Sequence, residues 1–262
     1  MLSITSEVGA GRGSVRGMAA VGELLRDWRQ RRRLSQLDLA LEAGVSARHV
    51  SFLETGRSNP SRDMVLRLAE ELDVPLRERN RMLLAAGFAP AYGERTIDSP
   101  EMAPVREALE QVLRGHEPFP ALVVDRWWDL VSANAGVGPL IEGVPETLFP
   151  NVLRISLHPD GLAPRIENLA EWRGHLLGRL RREVVVTADP RLAALLDEVE
   201  GYPGGEAPAP EHAVAVPLRI DGLSFLSTVA TFGTAIDVTV AELSIEAFLP
   251  ADGATAAYLR GN

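Results

Sequence analysis

Cysteine is absent from the 262 residues. That excludes disulfides and thiolate metal sites and makes a reducing, cytoplasmic compartment the natural setting. Lysine is absent too, since all 27 basic residues are arginine. The guanidinium fork suits phosphate and guanine, which it binds through paired hydrogen bonds, although a GC-rich genome produces the same bias. Histidine is scarce: five copies stand at 49, 116, 158, 175 and 212, no two at metal-binding spacing. There is no Gly-x-Ser-x-Gly elbow and no phosphate-cradling glycine loop. "GVG" at 136–138 lacks the third glycine of a dinucleotide site. "HPDG" is a turn signature before it is a His and Asp pair, and Glu171 with His175 offers two ligands where a metal site needs more. The expectation is no enzyme, no catalytic residue, no metal and no cofactor. Residues 1–20, rich in Gly, Ser and Arg without an apolar run, match neither a signal peptide nor a membrane anchor. They read as a disordered tail in which Met18 competes with Met1 as the start, and no membrane partner is expected.

What is present divides in two. With 46% apolar residues the chain can bury two ordinary cores. The net charge of −9 hides an asymmetry: residues 1–95 carry fifteen arginines against twelve acids, and residues 96–262 twelve against twenty-four. A weakly basic half precedes a strongly acidic one, and the Gly/Pro-rich "AAGFAPAYGERTIDSPEMAP" lies between them. The boundaries follow as 21–95 and 96–262.

The first half reads as five short helices. Val21, Leu24, Leu25 and Trp28 fall at helical spacing in a first helix whose other positions carry Arg26, Arg29, Arg31, Arg32 and Arg33. Those arginines form mostly a solvated face, with one or two reserved for phosphate. Ser35 and Asp38 form a near capping box for a second helix, whose apolar surface is Leu37, Leu39, Ala40 and Leu41. Gly44 supplies the left-handed stop, and Ser46 caps a third helix over 47–55. Gly56 ends it, Ser61 caps a fourth helix, and Pro75 opens a fifth that ends at Gly87.

"LSQLDLALEAGVSARHVSFLETGRSNPS", with the helices around it, resembles the Cro/XRE-type (lambda-repressor-like) helix-turn-helix domain of bacterial regulators. The resemblance covers about Val21 to Gly87 and implies a double-stranded DNA operator as partner. It places the third helix in the major groove, with Ala47, Arg48 and Ser51 on the base-reading face and Ser46 at its start. Gln36 is implied as the brace between phosphate and recognition helix, and Arg57, Ser58 and Asn59 as backbone contacts. An outward Arg48 can reach guanine O6 and N7, whereas Ala47 offers only an apolar touch to a thymine methyl. His49 is either a base contact or a solvated surface residue. One such helix reads few base pairs, so a homodimer on two half-sites is expected.

In the second half a helix covers Pro104 to Arg114. Leu122 to Val124 and Trp128 to Ala133 read as strands, and Asn134 opens a helix. Asn151 to Val199 is mostly helical, and three β-rich runs follow: Ala213 to Ile220, Leu223 to Thr231 and Asp237 to Phe248, with "IDG" turning between the first two. Five strands with helices on one side resemble a PAS-like antiparallel sheet, so the whole chain is α+β. "RWWDLVSANAG", "NVLRISLHP" and "STVATFGTAIDVTVAELSIEAFLPAD", together with "ETGRSNPSRDMVLRLAEELDVPLRERNRMLLAAGFAP", are similar to the MmyB-like regulators. These join a Cro/XRE-type domain to a PAS-like ligand-binding domain.

The resemblance implies a cytoplasmic, nucleoid-associated regulator whose second domain binds a fatty acid or similar apolar effector. A carboxylate head needs a donor at the mouth of an apolar cavity, and the candidates are Arg154, Trp172, Arg173 and His175. Of the adjacent Trp127 and Trp128, strand geometry allows one to line a cavity, and Trp128 is taken. A second reading makes the acidic half a docking surface for a protein partner, with the first half as the DNA anchor.

Overall fold

The computed structural model describes residues 11–208 and 214–261. It divides into two compact units, one taking the chain up to Gly93 with Ile236–Val238, the other the remainder from Glu94.

The first unit holds α1 (Gly11–Arg31), α2 (Gln36–Glu42), α3 (Ala47–Glu54), α4 (Arg62–Glu71) and α5 (Leu76–Ala85). Residues 11–20, expected in a disordered tail, have helical backbone as the start of α1; residues 1–10 lie outside the described residues. Three helix starts follow from local chemistry. Asp38 N donates to Ser35 Oγ at 3.1 Å while Ser35 N donates to Asp38 Oδ2 at 2.8 Å, closing the capping box. Ser46 Oγ accepts from His49 N and Ser61 Oγ from Met64 N. Gly44, at φ +62°, makes the left-handed turn between α2 and α3.

The core gathers Leu25, Trp28, Leu39, Val50, Leu53, Val65, Leu68, Leu72, Met82 and Leu83. One expectation fails here: Leu37 and Leu41 are exposed at 58% and 72%. The buried side of α2 is Leu39, Ala40 and Ala43, and at about 100° per residue positions two before and two after Leu39 point away from it. Gly22 lets α1 lie directly on the end of α3, since a Cβ there would meet Leu53 O at 2.5 Å.

The second unit runs α6 (Ala103–Gly115), β1 (Ala121–Val124), β2 (Leu130–Ala133), α7 (Gly138–Ile141), α8 (Val152–Leu157), α9 (Leu169–Thr187), α10 (Pro190–Glu200), β3 (Leu218–Ile220), β4 (Leu223–Thr231), α11 (Val238–Ala241), β5 (Ser244–Pro250) and α12 (Gly253–Leu259). The strands form one sheet in the order β2-β1-β5-β4-β3, antiparallel throughout. This is the PAS-like antiparallel sheet with helices.

Helices cover both faces rather than one, because β1 and β5 alternate. Ala121, Val123, Ile245 and Ala247 pack under Leu109 and Leu113 of α6, while Leu122, Glu246 and Phe248 face the other way, toward α8 and α9. Three strand limits also differ from expectation. Trp128 is not in β2: it sits in a turn at φ +66°, where Asp125 Oδ1 accepts from Trp127 N at 2.8 Å and Asp129 N at 3.0 Å. The run from Ala213 pairs only over 218–220, after Pro217, which has no N–H for a ladder; Ala213 itself lies outside the described residues. Residues 238–241 make a helical turn before β5. Asn134 is a buried tie: its Oδ1 accepts from Ala121 N, and its Nδ2 donates to Leu113 O and Phe119 O. Gly136 is required two residues later, since a Cβ would meet Pro118 O at 2.7 Å.

Candidate nucleic-acid interface and ligand cavity

Helix α3 is held from behind by a charge that the sequence reading did not single out. Glu54, the last residue of α3, is fully buried at its carboxylate. Arg29 donates to it twice, Nε to Oε1 at 2.6 Å and Nη2 to Oε2 at 2.9 Å, and Gln36 Nε2 donates to Oε2 at 2.8 Å. Arg26 Nη2 donates to the Glu54 carbonyl at 3.1 Å. Burial pushes the Glu54 carboxyl up, but the hydrogen bonds from Arg29 and Gln36 outweigh it and hold the group below the usual carboxylate range. Gln36 therefore braces α3 through Glu54. The arginines at 26–33 are not mostly a solvated face either: Arg26 and Arg29 of α1 serve Glu54, and Arg32, just past its end, donates to Leu72 O and Asp73 O at the C-terminus of α4, where cations are favoured.

The outward residues sort by what else they do. Arg48 is exposed, its guanidinium 5.1 Å from the centre of the Phe52 ring, and Arg57 approaches the same ring at 6.0 Å. Asn59 is exposed, while His49, Ser51 and Ser58 are half-buried. Ser46 is committed to its cap. Ala47 packs partly against the core, so only part of its methyl surface faces outward.

In the second unit an apolar cavity of about 80 Å³ lies between the sheet and the helices. Leu122, Trp128, Ile141, Ile155, Trp172 and Phe248 are among its walls, and its polar groups include Ser156 and Glu246. A cavity of about 150 Å³ lined by aliphatic and aromatic groups takes benzene, so a longer apolar chain must displace lining side chains here. Trp172 Nε1 donates to Ser156 Oγ at 3.2 Å. Trp128 Nε1 donates to Glu183 Oε2 at 2.7 Å, and Arg179 bridges Glu183 and Glu246. Burial pushes the Glu183 carboxyl up.

Of the residues expected to hold a ligand, Trp128 and Trp172 reach the cavity and three do not. Arg154 donates Nε and Nη2 to the Glu198 carboxylate at 2.8 and 2.7 Å. Arg173 is 4% exposed and donates to Val199 O and Glu200 O, closing the C-terminus of α10. His175 stacks on the far side of Trp172, ring centres 5.4 Å apart, and lines a separate surface depression with Arg182. Burial, with Arg179 and Arg182 nearby, pushes its imidazole pKa down. Trp127 faces away from the cavity, under Arg126 and Arg191 at 4.8 and 4.3 Å, with Nε1 donating to Asp189. Among the described residues no group of three or more His, Asp or Glu is placed to hold a metal ion, and no helix is long and apolar enough to cross a membrane.

Comparison with known proteins agrees with both halves. The family of the MmyB-like transcription regulator ligand binding domain matches residues 105–261, and a helix-turn-helix family matches residues 25–79. The uncharacterized HTH-type transcriptional regulator RghRB of Bacillus subtilis is 31% identical over 113 residues, which is 42% of this chain and 79% of that protein. Among solved structures, the clp gene regulator ClgR of C. glutamicum is 25% identical, covering 27% of this chain and 88% of its own at a TM-score of 0.24. The restriction-modification controller protein C.AhdI of Aeromonas hydrophila is 35% identical over 24% of this chain and 94% of its own, at a TM-score of 0.23. With its helical unit matched by the one family and most of the remainder by the other, the chain belongs to the MmyB-like transcription regulators, which join a Cro/XRE-type helix-turn-helix to a ligand-binding domain.

Proposed function

We propose that the protein binds a near-palindromic operator as a homodimer and changes its operator affinity when a fatty-acid-like apolar molecule fills the cavity of the second unit. The observation that carries the reading is that cavity, which lies between the sheet and the helices and is lined almost wholly by apolar side chains. It has the character of a small-molecule site. Because the space is small, occupancy displaces Leu140 and Ile141 of α7, Ile155 of α8 or Leu176 of α9, so ligand binding and helix position are coupled. An effector that prefers one arrangement of the two DNA-binding units then shifts the population toward it.

On the DNA side, Arg48 is the main base reader, touched up by Ala47 and Ser51, with His49 beside them. Arg57, Ser58 and Asn59 meet the phosphate backbone, and Ser46 presents the N-terminus of α3. The protein works in the cytoplasm, on the nucleoid. The test is native mass spectrometry of the purified chain, followed by solvent extraction of what co-purifies. A dimer carrying one apolar molecule per subunit, or taking up one added fatty-acid-like molecule, is expected. A dimer that neither carries nor takes up such a molecule moves the function of the second unit to a protein partner.

A further inference from the structure

Phe52 stands outside the core of its own unit. It lies on α3 one turn beyond Arg48 and is half-buried, and among the described residues it is not one of the apolar side chains that pack against that core. What approaches its ring is charge. The Arg48 guanidinium stands 5.1 Å and the Arg57 guanidinium 6.0 Å from the ring centre, within the range over which an aromatic face attracts a cation. Both approaches have local causes. Residues four apart are neighbours on a helix surface and helical side chains lean toward the N-terminus, so the ring of Phe52 leans over the turn that carries Arg48. Past the helix, Gly56 at φ +67° reverses the chain. Arg57 N and Ser58 N then donate to the Phe52 carbonyl at 2.8 and 3.2 Å, which brings Arg57 back to the same residue. These two arginines differ from those behind α3. Arg26 and Arg29 are spent on Glu54, whereas among the described residues neither Arg48 nor Arg57 has an ion pair or a side-chain hydrogen bond. A carboxylate in place of Phe52 would hold the two cations and cancel the charge that a nucleic acid meets. A ring attracts a guanidinium through its face and leaves the charge uncancelled and the N–H donors unspent.

We infer that Phe52 is a positioning residue of the DNA interface: its ring orders Arg48 before DNA arrives, so that the guanidinium loses less freedom on meeting guanine O6 and N7, and the preference for the operator depends on that ring. This rests on the reading of Arg48 as the base reader. Fluorescence-anisotropy titrations of the full-length protein test it. The duplexes are an operator selected from random-sequence DNA, a random sequence of the same length, and the operator with 7-deazaguanine at its guanines, which removes the N7 acceptor. The proteins are the wild type, Phe52→Leu, Phe52→Tyr and Arg48→Ala.

Phe52→Leu keeps an apolar side chain without a π face. It is expected to melt with the wild type while its preference for operator over random DNA falls at least about threefold, the scale of an exposed cation–π contact. The penalty for 7-deazaguanine is expected to shrink about twofold or more in the same variant, a change that a loss of fold stability would not produce. Phe52→Tyr, which keeps the ring, is expected to retain both the preference and the penalty. A Phe52→Leu protein that keeps either the wild-type preference or the full 7-deazaguanine penalty overturns the inference, as does equal loss in Phe52→Leu and Phe52→Tyr. A lowered first melting transition in Phe52→Leu makes the ring a packing element and overturns it too. Arg48→Ala separates the two levels. If it loses selectivity while Phe52→Leu does not, the Arg48 reading stands and the role of Phe52 falls; if it weakens operator and random DNA equally, both fall.

Discussion

Replacing Glu54 by alanine should open the helix-turn-helix unit while leaving the sheet of the second unit intact. The carboxylate is fully buried and accepts three hydrogen bonds within 3 Å, two from Arg29 and one from Gln36. Removing it strands the Arg29 guanidinium, whose side chain is 11% exposed and keeps only its bond to Leu34 O at 2.8 Å among those it makes with Glu54 and the α1–α2 turn. Breaking one side of a buried ion pair costs about 3 kcal/mol or more, which is about a 150-fold change in an opening equilibrium. A helical unit of this size has only on the order of 5 kcal/mol in total. Hydrogen exchange of the full-length protein, read by mass spectrometry, resolves the two units. Peptides from α2 and α3 should exchange about 100-fold faster, while peptides from β1, β4 and β5 should not change. The Arg29→Ala, Glu54→Ala double variant should lose clearly less than the sum of the singles, because no charge is left unpaired. Glu54 is held below the usual carboxylate range. Its contribution is therefore present at neutral pH and lost as the pH falls through that lowered value, a step the alanine variant should lack. Unchanged α3 exchange, or equal acceleration in the sheet, would refute the assignment of Glu54 as the anchor of α3.

Arg48→Ala should weaken binding to the selected operator by about 1–3 kcal/mol and weaken random DNA much less; equal loss on both in a fluorescence-anisotropy titration would remove Arg48 from base reading. Arg173→Ala deletes the closure of α10 at Val199 O and Glu200 O and should cost about 2 kcal/mol in chemical denaturation. It should leave the affinity for a cavity ligand unchanged, and a large affinity loss would restore Arg173 to the site. Gly22→Ala drives a Cβ into the Leu53 carbonyl and should cost about 1–3 kcal/mol, seen as a lower first melting transition; an unaffected transition would mean α1 can lift from α3 freely.

The parts of the molecule that were legible in the sequence are those whose chemistry is local. Ser35 with Asp38, Ser46, Ser61 and Gly44 act on backbone groups two to four residues away, so the helix-turn-helix can be read in order. The strands of the second unit were visible where β-branched residues alternate, as in 223–231. What failed depended on partners distant in the chain. Leu37 and Leu41 read as core because α2 is apolar on nearly every side, and only the placement of α3 and α4 decides which side is buried. Arg154 and Arg173 looked available until Glu198 and the end of α10 were brought to them. The cavity draws on residues from Pro120 to Phe248, a set with no linear signature. Two hints were nevertheless present: the acid in "SIEAF", set within a strand otherwise built of apolar residues, and the acid ending the recognition helix at "LETG".

The measurement that bears most directly on the whole account is operator affinity with the cavity empty and with it filled. An operator selected from random-sequence DNA would be titrated with the full-length protein, with and without a saturating amount of the fatty-acid-like molecule that the protein takes up. The Kd is expected to shift by about tenfold, and the ligand's own affinity to shift by the same factor when operator is present, as linkage requires. Leu140→Trp, which places an indole in the space that Leu140 lines, should show neither shift. An operator Kd that is identical with the cavity demonstrably filled would contradict the claim that this cavity controls DNA binding.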